Sequence, residues 1–269
     1  MSSTPTVPAT LRYAHDTPVA GLMVAERRVP QPEATLICVH GGLDRGASFG
    51  RLARRLENFD VVAYDRRGYQ KSRDLGPLSL ERHIDDLLAV TRREALRGPV
   101  LYFGHSYGGV VALGAAVAEP ALSQLVIVYE TPLPWILARQ SSRPPLTTDG
   151  ALEVENFFKR MVSRGAWERL SDSERQSRRL DGPGLLSDLT ILTMHPPFEI
   201  TRLTTPCVYV YGDRMRPEYH RALSAELSRI NPIISSRELR NVGHGAHLSA
   251  PDQLAPLIHE LWEQRCALV

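Results

Sequence analysis

One serine of this sequence, Ser106, has the surroundings of a nucleophile. It is the central residue of Gly104-His105-Ser106-Tyr107-Gly108, between an apolar, strand-like run at 99–103 and an alanine-rich, helix-like run at 110–116. Flanking glycines let neighbouring segments come close to such a turn. The sharp turn from strand to helix strains the backbone and exposes the serine hydroxyl, and the helix N-terminus favours developing negative charge. We therefore predict that Ser106 acts as a nucleophile.

A nucleophilic serine needs a base, and a histidine usually supplies it. The hydroxyl is a weak nucleophile at neutral pH unless a neighbouring base takes its proton. A carboxylate commonly holds that histidine in one tautomer. The chain has nine histidines, and two of them, His244 and His247, lie close together after the last strand-like run. Both are candidates for the base.

Strand-like and helix-like patterns alternate through most of the chain. Continuous apolar runs are typical of strands covered on both faces, and helical spacing of apolar residues follows most of them. This alternation predicts an α/β fold with a mostly parallel eight-stranded sheet flanked by helices, and functional residues at the carboxyl ends of the strands. Strands are predicted at 11–14, 19–26, 34–39, 59–64, 99–103, 125–129, 207–211 and 233–239, and helices at 48–56, 80–95, 217–229 and 250–264.

The alternation stops between residues 131 and 206. This segment begins with a proline-rich stretch and then shows helical patterns at 152–163, 167–170, 173–180 and 185–193, without a strand pattern. We predict a helical cap inserted after the sixth strand, with residues 1–130 and 207–269 as the core. A cap over a cleft leaves apolar groups facing the substrate. The predicted substrate contacts are Leu43, Trp135, Phe158 and Met161, and they favour an uncharged, apolar acyl or aromatic substrate.

Composition argues against several kinds of partner. Thirty-two basic and thirty acidic residues give a formal charge of +2, too small to indicate nucleic acid or a membrane surface as a partner. Three cysteines are too few for a disulfide framework, and no metal-ligand spacing or cofactor motif occurs. The sequence shows neither a signal-peptide pattern nor a membrane-spanning run. We expect a cytoplasmic protein that acts on a small molecule without metal or cofactor, as a monomer or homodimer.

Four motifs taken together resemble the α/β-hydrolase fold. The turn around Ser106 is similar to the nucleophile elbow of that family, and Gly243-His244 is similar to its histidine loop. His40-Gly41-Gly42 resembles the oxyanion loop, and Asp65-x-Arg67-Gly68-x-x-x-Ser72 resembles the loop after the fourth strand. Gln70 stands where many members have a second glycine, a departure that affects a turn. The resemblance covers nearly all of residues 11–265 apart from the cap.

The resemblance implies a base and a reaction. The family's chain order of serine, acid and histidine implies His244 as the base, and leaves His247 as a capping or surface residue. It implies a serine hydrolase that cleaves a carboxylic ester or thioester through an acyl-serine intermediate. Two alternatives remain open: an acyltransferase with the same triad, and a non-catalytic small-molecule binding module on this fold.

The carboxylate of the triad has two candidates. Most members of the family place it a few residues after the glycine that ends the seventh strand, where this chain has Met215. Asp213 is nearby, but an aspartate directly after Gly212 often serves a turn. Glu130 closes the sixth strand, where some members of the fold carry the acid, and its extra methylene helps it to cross a strand spacing of about 4.8 Å. We favour Glu130, with Asp213 as the alternative acid.

The oxyanion of the intermediate requires two N–H donors. The resemblance places one of them at Tyr107, directly after the nucleophile. The other is expected in the loop after His40, where Gly42 is the first candidate and Leu43 the next.

Overall fold

An eight-stranded sheet forms the centre of the molecule, as the sequence predicts. The computed structural model describes residues 10–14, 18–137, 146–194 and 196–266. The strand order is β1-β2-β4-β3-β5-β6-β7-β8, in which β2 is antiparallel to both of its neighbours, β1 and β4, and the remaining neighbours are parallel. The strands are β1 (Arg12–Tyr13), β2 (Val24–Arg27), β3 (Ala34–Val39), β4 (Phe59–Tyr64), β5 (Val100–His105), β6 (Leu125–Tyr129), β7 (Cys207–Gly212) and β8 (Ile234–Leu239).

Helices cover both faces of the sheet, and because both faces are buried, the strands consist largely of apolar residues. Every residue of β3 to β7 is buried, whereas the edge strand β8 is buried only at its ends and partly exposed between. The helices of the core are α1 (Gly50–Ala53), α2 (Leu80–Ala95), α3 (Tyr107–Ala118), α8 (Pro217–Ile230), α9 (Ala246–Ser249) and α10 (Pro251–Cys266). One apolar layer joins the sheet to α2, α3 and α8, and the other joins it to α1, α9 and α10. None of the helices in the described ranges is long and apolar enough to cross a membrane.

Four helices lie between β6 and β7, where the sequence predicts a cap. They are α4 (Gly150–Met161), α5 (Arg164–Glu168), α6 (Asp172–Arg179) and α7 (Gly182–Ile191), and they are called the cap from here on. No strand occurs in the described part of this segment. Val154, Phe158, Trp167, Leu185 and Leu189 of the cap pack into a small apolar cluster with Leu43 and Tyr69 of the core. The cap therefore lies on the loops that follow β3 and β4.

Three predicted elements differ from the observed ones. The N-terminal strands are only two and four residues long, shorter than the apolar pattern suggests. The helix predicted at 48–56 is a 3₁₀ turn at Gly46–Phe49 followed by the short α1. By contrast, β3, β4, β6 and α2 have the predicted bounds, and Ser79 caps α2 by accepting a hydrogen bond from Arg82 N.

Candidate active site

Ser106 occupies a tight turn between β5 and α3. Its φ of 53° and ψ of −126° lie outside the regions that L-residues favour, so the turn is strained. A Cβ at Gly104 would lie 2.5 Å from the Cα of Gly109, and one at Gly41 would lie 2.9 Å from the Ser106 Cβ. Glycine is therefore required where the helix and the oxyanion loop approach this turn. Ser106 itself is 9% exposed, and its hydroxyl forms no hydrogen bond with any described residue.

Sheet register brings Glu130 beside Ser106. His105 of β5 pairs with Tyr129 of β6, so the next residue of each strand, Ser106 and Glu130, lies at the same carboxyl edge. Ser106 N donates a hydrogen bond to Tyr129 O at 2.9 Å. Both residues that leave this edge have a positive φ, 53° for Ser106 and 44° for Glu130.

Glu130 contacts His244 directly. His244 Nδ1 lies 2.7 Å from Glu130 Oε2, and Glu130 Oε1 accepts a hydrogen bond from Gly212 N at 3.0 Å. The carboxylate side chain is 2% exposed, whereas the imidazole is 17% exposed. Because the carboxylate faces Nδ1, it leaves Nε2 as the nitrogen that can take a proton from a reacting group.

Asp213 forms neither a hydrogen bond nor an ion pair with His244, whose carboxylate partner is Glu130. Its backbone N donates to Leu239 O at 3.1 Å, and its Oδ1 is buried without a hydrogen-bond partner among the described residues. Of the two carboxylates that the sequence brings into question, Glu130 is the one that the structure places against the imidazole.

Two side chains fix the histidine loop to the sheet. His105 Nε2 lies 2.8 Å from His244 O, and the Tyr129 hydroxyl donates to Gly243 O at 2.8 Å. The His105 and His244 rings lie 4.7 Å apart. His244 is thus attached to the residue that directly precedes Ser106, which places its imidazole at the same edge of the sheet.

The interpretation of His247 as a capping or surface residue is wrong. His247 is 1% exposed and lies in α9, with its ring 4.8 Å from Phe49 and 4.5 Å from His105. Its Nε2 approaches Asp44 Oδ2, in the loop after β3, to 3.1 Å. The spacing of three residues from His244 could not show this, because the burial of His247 comes from distant parts of the chain.

The amides proposed for the oxyanion hole are free of other acceptors. Gly42 N and Tyr107 N take part in none of the hydrogen bonds formed among the described residues, and Tyr107 is the first residue of α3, where N–H groups have no helical partner. Two apolar cap side chains and one hydroxyl of the core lie over Gly42. A Cβ at Gly42 would meet Leu185 Cδ1 at 3.0 Å, the Tyr69 hydroxyl at 3.7 Å and Phe157 Cζ at 3.8 Å.

The predicted substrate contacts fall into two groups. Leu43 and Phe158 belong to the apolar cluster of the cap, and Phe158 packs 5.4 Å from Trp167. Trp135 packs against the main core, with its ring 6.1 Å from Phe198. Met161 ends α4 and is partly buried. That these four residues contact the substrate stays a prediction. Leu185 and Phe157, which approach Gly42, are two further candidates for substrate contact.

His220 is a neighbour of Glu130 that sequence reasoning missed. It lies on α8, with Nε2 3.9 Å from Glu130 Oε2 and Nδ1 2.8 Å from the Tyr209 hydroxyl. Burial lowers the pKa of His220, and the Glu130 charge opposes this effect. A neutral His220 adds no second positive charge to the carboxylate. The sequence carries no signal for this contact, since His220 is one polar residue within an amphipathic helix.

A buried ion pair joins the cap to the core beside the oxyanion loop. Arg66 is fully buried, donates to His40 O at 2.8 Å and forms two hydrogen bonds with Asp188 of α7, at 2.6 and 3.1 Å. The Tyr69 hydroxyl donates to Asp188 at 2.6 Å. Burial acts to lower the pKa of Arg66, but the charge of Asp188 raises it overall. Both charges are therefore satisfied within the pair.

Comparison with known proteins decides the family. The model of the alpha/beta hydrolase family matches residues 36–257. The chain belongs to the α/β-hydrolase family. This α/β-hydrolase is 32% identical over 147 residues to lipase LipV of Mycobacterium tuberculosis, a match that covers 53% of this chain and spans only 54% of LipV.

One further relative and one solved structure match over most of their length. The pimeloyl-[acyl-carrier protein] methyl ester esterase of Yersinia pseudotuberculosis serotype O:1b is 26% identical over 252 residues, covering 86% of this chain and 94% of the esterase. The crystal structure of a bromoperoxidase from Bacillus anthracis superposes with a TM-score of 0.68 at 14% identity, covering 94% of this chain and 99% of that one. At that identity the bromoperoxidase shows the fold alone.

Proposed function

We propose that this α/β-hydrolase cleaves a carboxylic ester or thioester of an uncharged, apolar acyl or aromatic substrate through an acyl-serine intermediate. The observation that carries the proposal is the hydrogen bond of 2.7 Å between His244 Nδ1 and Glu130, next to a serine in a strained turn. Two relatives, a lipase and a methyl ester esterase, support the same reaction class.

In the first half of the reaction, Ser106 Oγ attacks the carbonyl carbon of the substrate while His244 Nε2 takes its proton. Glu130 stabilises the imidazolium that forms and keeps the proton of Nδ1 in place. The amides of Gly42 and Tyr107 donate to the oxyanion. His244 then gives its proton to the departing alcohol or thiol, and the acyl group stays on Ser106.

Water completes the reaction. His244 Nε2 takes a proton from a water molecule, whose oxygen attacks the acyl carbon. Collapse of the second tetrahedral intermediate returns the proton to Ser106 Oγ and releases the carboxylic acid. Serine, histidine and carboxylate are thereby restored.

The preference for an uncharged substrate rests on what surrounds Gly42. Leu185 and Phe157 of the cap approach this glycine, and Arg66, the buried cation beside it, is neutralised by Asp188. A substrate carboxylate at Gly42 would therefore exchange water for apolar contacts and would find Arg66 already paired, which is unfavourable. We propose that residues 131–206 act as the unit that selects the substrate.

A panel of p-nitrophenyl esters and matching thioesters of increasing acyl length tests this function, with Ser106→Ala as the control. We expect release of the free carboxylic acid by the wild type, preference for particular acyl lengths, and no turnover by the control. Formation of an ester with an added alcohol in place of free acid would identify an acyltransferase. A folded wild type that cleaves none of the panel would contradict the proposal and favour a binding module.

A further inference from the structure

Three side chains form a compact cluster directly beside the proposed catalytic residues. Asp44 comes from the loop after β3, His105 from the end of β5, and His247 from α9. One ligand atom of each lies within 4.8 Å of the other two. Asp44 is partly exposed, whereas both histidines are buried. The cluster therefore joins three segments that lie beside Ser106.

His105 presents a lone pair to this cluster. Its Nε2 lies 2.8 Å from His244 O, and because a carbonyl oxygen only accepts, Nε2 carries the ring proton. Nδ1 is then unprotonated, and it is buried without a hydrogen-bond partner among the described residues. It lies 3.9 Å from Asp44 Oδ2. A metal-binding histidine commonly has this arrangement, with one nitrogen bonded to a backbone carbonyl and the other free to bind the ion.

His247 adds a second unsatisfied imidazole. Its Nε2 lies 3.1 Å from Asp44 Oδ2, an ion-pair contact without the alignment of a hydrogen bond, and neither of its ring nitrogens forms a hydrogen bond with a described residue. Buried polar atoms are rarely left without a partner in native proteins. The unpartnered nitrogens of His105 and His247 and the carboxylate of Asp44 thus point to a cation between them.

We propose that Asp44, His105 and His247 bind a divalent transition-metal ion, with Zn²⁺ as the preferred ion. Two imidazole nitrogens and one carboxylate suit Zn²⁺ rather than Mg²⁺ or Ca²⁺, which favour oxygen ligands. Tetrahedral ligands at Zn–N and Zn–O bond lengths lie about 3.4 Å apart, between the observed separations of 3.1 and 3.9 Å. Sequence spacing gave no indication of this site, because its ligands come from three distant parts of the chain.

Occupation of this site inhibits the hydrolase, a consequence that rests on the proposed function. The His105 ring lies 4.7 Å from the His244 ring. A dication bound to His105 opposes the positive charge that His244 gains when it takes the serine proton. The ion is therefore expected to lower turnover at neutral pH, and its removal by a chelator restores turnover.

Binding is tested without reference to activity. Chelator-treated wild-type protein is titrated with Zn²⁺ by calorimetry, and with Co²⁺ by visible absorption. We expect one saturable ion per chain, a tetrahedral Co²⁺ spectrum, and a loss of affinity of about tenfold or more in both Asp44→Asn and His247→Gln. Asp44 is partly exposed, so Asp44→Asn keeps the test valid if the buried His247→Gln fails to fold. His259→Gln, on α10 with its ring 4.9 Å from Phe59, is the matched control and should bind like the wild type.

His244→Gln distinguishes this site from metal binding by the proposed triad, and it should keep the ion. The proposal is overturned if the wild type binds no ion, if Asp44→Asn and His247→Gln bind as tightly as the wild type, or if His244→Gln alone abolishes binding. A second arm measures ester hydrolysis with and without Zn²⁺, which should inhibit the wild type and spare Asp44→Asn. If no ester is hydrolysed, the proposed function fails while the binding result stands by itself.

Discussion

At the scale of single residues, the strained positions lie where the chemistry is proposed. Ser106 and Glu130 both leave the sheet with a positive φ, a conformation that costs about 1–3 kcal/mol for a non-glycine residue. The hydrogen bonds of Glu130 to His244 and Gly212 hold that residue in place. In this backbone conformation the Ser106 hydroxyl and the Glu130 carboxylate leave neighbouring strands on the side of the histidine loop.

Replacing Glu130 by Gln should lower kcat on the order of 10⁴-fold, because an amide neither stabilises the imidazolium nor selects the same tautomer. Asp213→Asn, the matched carboxylate-to-amide change one strand away, should leave kcat within a few-fold of the wild type. Both variants are to be assayed with one ester after circular dichroism shows equal folding. An inactive Asp213→Asn together with an active Glu130→Gln would reverse the assignment of the acid.

At the scale of elements, the cap is attached to the core through two buried aspartates. Asp188 of α7 pairs with Arg66, and Asp181, just before α7, accepts hydrogen bonds from Gln70 and Arg73. Gln70 has a φ of 46°, so it adopts the backbone conformation expected of the glycine that it replaces. Its side chain meanwhile binds the cap. The departure at Gln70 therefore affects a turn, as the sequence indicates, and also the docking of α7.

Asp188→Asn should destabilise the protein by about 3–5 kcal/mol, because it leaves the fully buried charge of Arg66 without its partner. The control is Asp172→Asn on α6. The Asp172 side chain is 99% exposed in its pair with Arg175, so this variant should change the unfolding free energy by less than about 0.5 kcal/mol. Urea unfolding measures both. The double variant Arg66→Met/Asp188→Leu should be less destabilised than Asp188→Asn, because it leaves no unpaired charge. An equal loss of unfolding free energy in Asp188→Asn, Asp172→Asn and the double variant would refute the role of the pair.

Selection of the acyl chain belongs to the cap as well. Leu185→Ala removes the side chain that approaches Gly42 and should change the ratio of kcat/KM between long and short acyl esters by about 10–200-fold. Leu152→Ala, an exposed leucine on α4 of the same cap, should leave that ratio unchanged. Both are measured below the unfolding temperature of the less stable variant. A uniform loss for all esters in Leu185→Ala would indicate packing alone.

At the scale of the whole molecule, several buried histidines are kept neutral. Burial lowers the pKa of His40 to about 3, and burial is also the main cause that lowers the pKa of His83 and His105 well below 6.5. Below pH 6.5 the unfolded chain binds protons at these positions that the native protein does not bind. Stability is therefore fully present above pH 6.5 and falls as the pH decreases.

The unfolding free energy should decrease by up to about 1.4 kcal/mol per pH unit for each such histidine as the pH falls from 6.5 towards 5. Burial raises the pKa values of Asp65 and Asp86, so these carboxyls take up protons in the native protein before they do in the unfolded chain and oppose this loss as the pH falls. Urea unfolding between pH 7.5 and 5 measures how steeply the unfolding free energy changes with pH. His40→Gln removes one of these histidines and should reduce that pH dependence by the contribution of a single histidine. A stability that rises on acidification would contradict the neutral state of these side chains.

The fold was largely predictable because its strands are continuous apolar runs between loop signals. β3, β4, β6 and α2 have the predicted bounds, and the order of motifs along the chain indicated Ser106, His244 and Glu130 as candidates. Contacts such as those of His220 with Glu130 and of Arg66 with Asp188 depend on packing between distant segments. No local pattern encodes such contacts, and for the same reason the burial of His247 was missed.

Acylation of Ser106 tests the proposed mechanism most directly. Folded wild-type protein is incubated with a fluorophosphonate, which loses fluoride when a nucleophilic serine attacks its phosphorus, and the intact mass is then measured. We expect one adduct per chain, located at Ser106 by peptide mapping and absent from Ser106→Ala. An unmodified wild type, or an adduct that persists in Ser106→Ala, would contradict the proposal that Ser106 is the nucleophile.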